Sequence, residues 1–288
     1  MIWGAGAPPA VPPPPRRHRP GAGGTAGEAP APHLLELRNV SYAYADAIAV
    51  RDMSFAVGER QLVALTGPNG SGKSTLLKLI ARVLAPRQGE VLYEDTPLSQ
   101  WPAKEYAKRV GYLPQDPDPA FPMRALDVVV SGRAPYLGRF SWESPRDFEE
   151  AERALELCDA GHLGDRYLDE MSGGERKRVF LARVLAGTPR LIVLDEPLAA
   201  LDLSHVQQFS RLLRDVVDRT GCTVLFAAHD LNWAAAHSDR MLVMQQGALA
   251  LDASPNEVMR VDVMRSLFGF EAETVSIGGR TWIVPGNT

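Results

Sequence analysis

The stretch Gly67-Pro-Asn-Gly-Ser-Gly-Lys-Ser-Thr75 has the composition of a loop that wraps a phosphate group. It follows a largely apolar run, residues 61–66, that is typical of a buried β-strand, and it precedes a helical apolar pattern over residues 76–84. Glycines let the backbone curl so that successive N–H groups converge on an anion, and the positive end of the following helix adds to the attraction. A strand, a glycine-rich loop and a helix in this order predict an α/β fold with a nucleoside triphosphate site.

The end of this loop carries side chains that suit phosphates and a metal ion. Lys73 can reach the β- and γ-phosphates, and the Ser74 hydroxyl can ligate Mg²⁺. The alternative is a flexible Gly/Ser loop that carries a lysine by chance, but the flanking strand and helix argue against it. The loop residues predicted to bind the nucleotide are Gly67, Pro68, Asn69, Gly70, Ser71, Gly72, Lys73, Ser74 and Thr75.

Composition argues against several other classes of protein. The chain has 288 residues, enough for one large domain or for a domain with a subdomain. Its formal net charge of −4 gives no electrostatic reason to expect nucleic acid as a partner. Cys158 and Cys222 are too few for a disulfide scaffold and have no metal-ligand spacing, so we expect both to be reduced and buried. No apolar run approaches the roughly 18 residues needed to cross a bilayer, so membrane work would need another chain.

The first 32 residues differ from the remainder. They hold nine of the 23 prolines, and Pro12 to Pro15 interrupt any apolar segment of a signal peptide. We therefore expect residues 1–32 to be a disordered, Pro-rich extension, or the result of a mis-assigned start codon.

Short apolar runs separated by turn residues follow. Residues 34–44, 47–57 and 88–93 are expected to form strands of an antiparallel subdomain beside the phosphate loop. Tyr44 could stack on the nucleotide base, an interaction worth roughly 1–3 kcal/mol in other base-binding sites. A cross-strand aromatic pair with Tyr42 is an equally good prediction from the residues alone.

Residues 97–185 are predicted to form an inserted helical subdomain. Ser144 is the expected N-cap of one of its helices. That helix is expected to bury one face, formed by Phe148, Ala151, Leu155 and Cys158. Four apolar residues close in sequence to Gln115 could be core or a contact surface: Phe121, Met123, Tyr136 and Leu137.

Polar side chains follow three apolar runs that predict strands. Gln115 follows the first run, Asp195 and Glu196 follow the second, and His229 follows the third. Ligands of open α/β sheets bind at the carboxyl ends of the strands, which makes these side chains candidates for the site. The other histidines match no motif and are expected at the surface.

The last part of the chain is predicted from helix and strand signals. Residues 203–220 form an amphipathic pattern closed by Gly221, which predicts a helix. A strand over residues 241–244, a turn at Gly247 and a capping box over residues 254–257 are expected to lead into a C-terminal helix.

Taken in order, these motifs resemble those of the ATPase subunit of an ATP-binding cassette (ABC) transporter, over residues 34–285. The signature Ser-Gly-Gly separates this family from other phosphate-loop proteins. The resemblance implies a P-loop NTPase fold of the α/β class, with a mixed-sheet core, an antiparallel β subdomain and the inserted helical subdomain. The matched motifs are the adenine-stacking Tyr44, Walker A at 67–75, the Q-loop Gln115, the signature at 171–175, Walker B at 192–196, the D-loop at 198–202 and the switch histidine His229.

The resemblance also implies a role for each residue. Asp195 would hold Mg²⁺ through water, Glu196 would act as general base on the attacking water, and Gln115 would bridge the metal and that water. His229 would contact the γ-phosphate of ATP, and Lys73 completes the implied catalytic set. The other implied ATP ligands are Ser172, Gly173, Gly174 and Asp202, and the implied metal ligands are Ser74, Gln115 and Asp195. A solvated charge after a strand is the alternative for Glu196.

The family places the signature far from its own phosphate loop. The resemblance therefore implies a head-to-tail homodimer with two ATP molecules, each held between Walker A of one chain and the signature of the other. Asp202 would lie near that interface. The sequence departs from the usual pattern at Met171, Glu175 and Leu198, and Glu175 brings a carboxylate near the partner's ATP.

Residues 128–140 and 229–232 resemble importer ATPases for iron–siderophore complexes, haem and cobalamin. This kinship implies transmembrane permease subunits, a substrate-binding protein and a peripheral place on the cytoplasmic face of the inner membrane. The alternative is a soluble ATPase of iron–sulfur cluster assembly, against which the stretch at 132–137 argues. A DNA-repair ATPase would split its cassette with a long coiled coil, whereas Lys73 and Asp195 are only 122 positions apart without heptads.

Overall fold

The computed structural model describes residues 33–117, 122–138, 141–199 and 201–286. The extension predicted for residues 1–32 and the candidate contact residue Phe121 lie outside these ranges. The strands of the described part are β1 (Leu35–Tyr44), β2 (Ala47–Val57), β3 (Leu62–Thr66), β4 (Gln88–Tyr93), β5 (Thr96–Pro97), β6 (Val110–Leu113), β7 (Leu191–Leu194), β8 (Thr223–Ala227), β9 (Arg240–Gln245), β10 (Ala248–Ala253), β11 (Ala272–Ile277) and β12 (Arg280–Pro285).

Helices connect and cover these strands. They are α1 (Lys73–Ile80), α2 (Ala103–Arg109), α3 (Ala125–Val130), α4 (Pro145–Leu157), α5 (Gly173–Ala186), α6 (Leu203–Thr220), α7 (Leu231–His237), α8 (Pro255–Val258) and α9 (Val261–Val263). Shorter 3₁₀ segments span Ser131–Tyr136, Gly161–Leu163 and Leu168–Glu170, and a π-helical turn spans Met264–Phe268.

A six-stranded mixed sheet lies at the centre, in the order β10-β9-β3-β8-β7-β6. Neighbouring strands are parallel except that β10 pairs antiparallel with β9. β3, β7 and β8 are buried along their whole length and almost entirely apolar, as strands covered on both faces must be. A second, antiparallel sheet has the order β2-β1-β4-β5. The predicted α/β fold with a mixed-sheet core and an antiparallel β subdomain is confirmed.

Alternate residues of the central strands enter two separate hydrophobic clusters, because successive side chains of a strand point to opposite faces. Leu62 and Ala64 pack into the helical-side cluster, which includes buried residues of α3, α4, α5 and α6. Val63 and Leu65 pack into the β-side cluster, which includes α1 and the antiparallel sheet. Burying one leucine completely contributes roughly 1.5–3 kcal/mol, so both faces stabilise the sheet.

The buried face of α4 differs from the prediction at one residue. Ser144 is the N-cap as expected, and Ala151, Leu155 and Cys158 are buried. Phe148 is 39% exposed, so its predicted burial is wrong. Asp147 takes the buried position in the first turn instead, one helical turn before Ala151, because a buried arginine pairs with it.

That arginine, Arg133, is 5% exposed and joins three segments. Its Nε donates to Asp147 Oδ1 at 3.0 Å, and its Nη1 donates to the Ala186 carbonyl at 2.9 Å. Its guanidinium also lies 3.7 Å from the ring centroid of Tyr136. Hydrogen bonds from Ser144 hold the pKa of Asp147 below its usual range, and Arg133 adds to this effect.

Replacing Arg133 with methionine should lower the free energy of unfolding by about 3 kcal/mol, because a buried carboxylate and a carbonyl would lose their partner. Urea denaturation measures this loss. The matched control is Arg38→Met, whose arginine pairs with Glu36 at the surface and should contribute nothing measurable. Equal losses in the two variants would contradict the structural role of Arg133.

The C-terminal region also differs from the prediction. The expected C-terminal helix is limited to α8, α9 and a π-helical turn, and the hairpin β11–β12 follows. Gly278 and Gly279, both with positive φ, form the tight turn of this hairpin. Gln246 and Gly247, again with positive φ, join β9 to the unpredicted strand β10. Three of the six residues of β10 are alanine and one is aspartate, and both residue types are depleted in strands, so the residues gave little sign of it.

Candidate active site

The loop between β3 and α1 has a conformation that its glycines make possible. Gly67, Gly70 and Gly72 have φ values of 145°, 75° and 99°, which residues with a β-carbon rarely adopt. A β-carbon at Gly67 would lie 2.1 Å from the Met244 carbonyl oxygen, and one at Gly72 would lie 2.0 Å from that of Ala49. The loop is therefore packed tightly between β9 and β2.

The same loop has polar groups that suit an anion. Gly72 cannot cap α1 with a side chain, and the first amides of a helix have no acceptor within it. Lys73 is 5% exposed, and its Nζ donates to the carbonyls of Gly67 and Pro68 at 2.9 and 3.1 Å. The Ser71 hydroxyl is buried without a hydrogen-bond partner among the described residues. Burial lowers the pKa of Lys73, and Glu196 and Asp195 oppose this shift.

The carboxylate of Asp195, directly after β7, lies beside the start of α1. Its Oδ1 accepts a hydrogen bond from Ser74 Oγ at 3.0 Å. Asp195 is 3% exposed, and burial raises its pKa while Ser74 lowers it. These two oxygen groups are hard donors of the kind that Mg²⁺ prefers. Within the described ranges no three His, Cys, Asp or Glu side chains could hold a metal by themselves, so other ligands would have to complete such a site.

Glu196 is contacted by two side chains that follow the strands on either side of β7. Gln115, after β6, donates its Nε2 to Glu196 Oε2 at 3.0 Å. His229, after β8, pairs its Nε2 with Glu196 Oε1. The structure therefore brings the predicted Gln115, Glu196 and His229 together, and it places Glu196 next in the chain to Asp195. A carboxylate fixed from both sides can orient a water molecule and accept its proton.

Tyr44 lies at the end of β1 and is 46% exposed. Its ring centroid is 5.0 Å from that of Tyr42, with the rings nearly perpendicular. The two tyrosines are neighbours on one strand rather than partners across two strands, so the predicted cross-strand geometry is wrong. An exposed ring leaves room for a base, and stacking on adenine stays a prediction.

The signature begins α5 with a capping box. Glu175 Oε2 accepts hydrogen bonds from the backbone N–H and the hydroxyl of Ser172, both at 2.8 Å, and Arg166 donates to Glu175 Oε1 at 3.2 Å. The bonds from Ser172 hold the pKa of Glu175 below its usual range, and Arg166 contributes less. The carboxylate at this position thus caps the helix and orients the signature serine.

Among the described residues no hydrogen bond or ion pair joins the signature to the phosphate loop. The signature lies instead against the start of α6, where a β-carbon on Gly174 would be 2.3 Å from the His205 ring. Asp202 caps α6 and contacts His205 through both carboxylate oxygens. Its Oδ1 accepts from the His205 backbone N–H at 3.0 Å, and its Oδ2 lies 2.8 Å from His205 Nδ1. Hydrogen bonds from His205 and Ser204 place the pKa of Asp202 well below its usual range.

His205 therefore joins the D-loop to the signature, and its side chain, 32% exposed, is only partly at the predicted surface. Only its place three residues after a helix-capping aspartate could have drawn attention to it. His237 is also half-buried, with its ring stacked on Trp233.

The apolar candidates near Gln115 have mixed environments. Met123 is half-buried and packs against the helical-side cluster. Tyr136 is partly exposed, and its hydroxyl contacts the Gly187 carbonyl at 2.9 Å. Leu137 is half-buried. None of the three described candidates is therefore fully buried.

A cavity of about 520 Å³ lies away from these groups. Arg60, Arg190 and Cys222, which line it, each stand just before a central strand, so the cavity opens at the amino ends of the sheet. None of its lining residues is a predicted site residue. The phosphate loop, Gln115, Asp195, Glu196 and His229 instead follow the carboxyl ends of central strands, where α/β sheets bind ligands.

Comparisons with known proteins agree with this geometry. A family model for the ABC transporter matches residues 50–199, more than half of the chain. The chain is similar to the hemin import ATP-binding protein HmuV of Nocardia farcinica, with 39% identity over 238 residues that cover 81% of each protein. It is 30% identical to the petrobactin import ATP-binding protein FpuC of Bacillus anthracis over 252 residues, 88% of this chain and 93% of that protein.

Among solved structures, the chain is similar to an ABC transporter assigned to the metal-chelate type, in an inward-facing conformation. The TM-score is 0.77 at 25% identity, and the match covers 88% of this chain and 98% of that one. No helix of the described residues has both the length and the apolar character to cross a bilayer.

Proposed function

The chain belongs to the ABC transporter family as one of its ATP-binding subunits, and on that basis we propose that its ATPase activity powers the import of an iron chelate. The cargo class rests on relatives that are named for hemin and petrobactin import. Neither of these names cobalamin. A haem or siderophore complex is therefore the proposed substrate.

The convergence of Gln115 and His229 on Glu196 is the observation that carries the enzymatic part of the proposal. ATP would lie with its phosphates in the loop at 67–75 and its adenine beside Tyr44. Lys73 would neutralise phosphate charge, and Glu196 would take a proton from the attacking water. Gln115 and His229 would keep the Glu196 carboxylate in line with that water.

Mg²⁺ fits the same site. The Ser74 hydroxyl and the buried Asp195 carboxylate lie within hydrogen-bond distance of each other, and Gln115 follows the adjacent strand β6 by two residues. These three residues would hold the ion, which when bound would offset the charge of the phosphates. Asp195 would stay ionised beside it, despite the burial that raises its pKa.

Cassettes of this family form dimers and work with transmembrane permease subunits. We propose a head-to-tail homodimer, in which Ser172, Gly173, Gly174 and Asp202 of one chain complete the ATP site of the other. The signature lies against α6, and among the described residues no polar contact links it to its own phosphate loop, which supports this arrangement. The dimer would sit on the cytoplasmic face of the inner membrane and receive cargo from a substrate-binding protein through the permease.

Growth of a strain that lacks the gene tests the cargo. The strain should fail to grow when haem or a ferric siderophore is the only iron source, and it should grow normally on a ferrous salt. Cobalamin-dependent growth should be unchanged. A general loss of iron–sulfur enzyme activity on every iron source would instead favour the soluble cluster-assembly ATPase.

A further inference from the structure

Glu196 has a backbone conformation that a residue with a side chain adopts at a cost. Its φ is +51°, in the left-handed region that favours glycine. Residues persist in this region only where their surroundings hold them, and such residues concentrate at functional sites. The Ala199 N–H donates to the Glu196 carbonyl at 3.1 Å, which closes a turn over residues 196–199.

A lysine from another element holds this turn. Lys177, on α5, donates its Nζ to the carbonyl of Pro197 at 2.8 Å and to that of Ala199 at 2.5 Å. The ammonium is half-buried, and burial lowers its pKa while Asp116 and Glu196 raise it. Two bonds from one ammonium to carbonyls on both sides of residue 198 restrict the turn that sets the direction of Glu196.

We propose that Lys177 is a positioning residue, which holds the Glu196 turn in its hydrolytic conformation and ties it to the signature helix. The proposal rests on the function proposed above. In that dimer Ser172 touches the partner's ATP, whereas Glu196 acts on the ATP of its own chain. Lys177 lies five residues after Ser172 on the same helix, so it links the two sites of the dimer through one chain.

A purely structural lysine, which only supports α5, would behave differently. Loss of a support would lower the melting temperature and weaken nucleotide binding together with turnover. Loss of a positioning group should lower kcat while KM for ATP stays unchanged, because substrate binding does not use the Glu196 carboxylate.

The first test compares Lys177→Met with Lys177→Arg in the purified chain. We expect kcat of Lys177→Met to fall about tenfold or more, with KM within about twofold, because small misplacements of a catalytic group cost up to 10²-fold. Lys177→Arg keeps the charge and the donors and should recover most of the rate. The matched control is Lys104→Met, which removes another lysine that donates to a loop carbonyl, that of Leu137.

If Lys177→Met fails to fold, Lys177→Gln, with one donor fewer, should fold and show an intermediate kcat. A kcat of Lys177→Met close to that of Lys104→Met would overturn the proposal. A parallel loss of melting temperature, binding and rate without rescue by arginine would also overturn it.

The second test places Lys177→Met in only one chain of a mixed dimer. A Ser172→Arg chain keeps a working phosphate loop and Glu196, and a Lys73→Ala chain supplies a working signature. We expect Lys177→Met to lower the recovered ATPase activity about tenfold in the Ser172→Arg chain and by less than about twofold in the Lys73→Ala chain. The opposite pattern, or equal losses, would assign Lys177 to support of the signature helix.

The two tests separate this proposal from the function on which it rests. An active Glu196→Gln chain would remove Glu196 as the base and thereby contradict the proposed function. A lack of activity in the mixture without Lys177→Met would contradict the trans arrangement, while the kcat of the unmixed variants would still decide the role of Lys177.

Discussion

The Glu196→Gln variant should bind MgATP and hydrolyse it at least ~10²-fold more slowly than the unaltered chain, the lower range for loss of one acid–base group. An amide has nearly the same size as the carboxylate but cannot accept the proton of the attacking water. Gln115 can still donate to the remaining side-chain oxygen, so the local geometry should persist. Phosphate release at saturating ATP measures the rate, and fluorescence of a bound nucleotide analogue measures affinity.

A second consequence of this substitution is a trapped dimer. Closure around ATP would no longer lead to cleavage, so size-exclusion chromatography with ATP should show a dimer that the unaltered chain forms only transiently. Glu257→Gln is the matched control, since Glu257 also accepts a side-chain hydrogen bond, from Ser254, but lies at the start of α8. Wild-type hydrolysis by Glu196→Gln would remove this residue from the mechanism.

Mixing a Lys73→Ala chain with a Ser172→Arg chain should restore part of an activity that neither chain has alone. Lys73→Ala should lose nucleotide binding, because the phosphates would lose the buried cation that neutralises them. Ser172→Arg should block the signature, whose serine begins α5. In a head-to-tail dimer the two lesions fall in one site, and the second site is intact.

Statistical pairing would make about half of the dimers mixed, each with one working site, so we expect up to about a quarter of the wild-type rate if the sites act independently. The control is a chain that carries both substitutions, which should rescue neither parent. Cross-linking verifies that mixed dimers form. Inactive mixtures that contain mixed dimers would contradict the trans arrangement.

The sequence predicted the parts of the site that follow from chain direction. Asp195 and Glu196 follow one buried parallel strand and His229 follows the next, and parallel strands bring their carboxyl ends to one edge. The positions of these residues just after predicted strands therefore indicated that they meet in one site, although they are far apart in the sequence. The phosphate loop could also be predicted, since its glycines stand at positions whose φ values residues with a β-carbon rarely adopt.

Other parts depend on packing that local patterns do not encode. Lys177 and His205 matter because α5 and α6 pack beside the D-loop, and neither residue has a distinctive neighbour pattern. Phe148 had the right spacing for burial, but the pairing of Arg133 with Asp147 moved the buried stripe by one position. The Gly278-Gly279 pair was a usable hairpin signal, whereas β10 has almost none.

The separation of the hydrophobic interior into two clusters has an evolutionary consequence. A substitution among the helices of the helical-side cluster meets neighbours on that face of the sheet, and it leaves the contacts of α1 and the antiparallel sheet in place. Mutational effects at sites that share no partners are close to additive. The helices of the helical-side cluster can therefore diversify, lineage by lineage, without a matching series of changes in α1 and the antiparallel sheet.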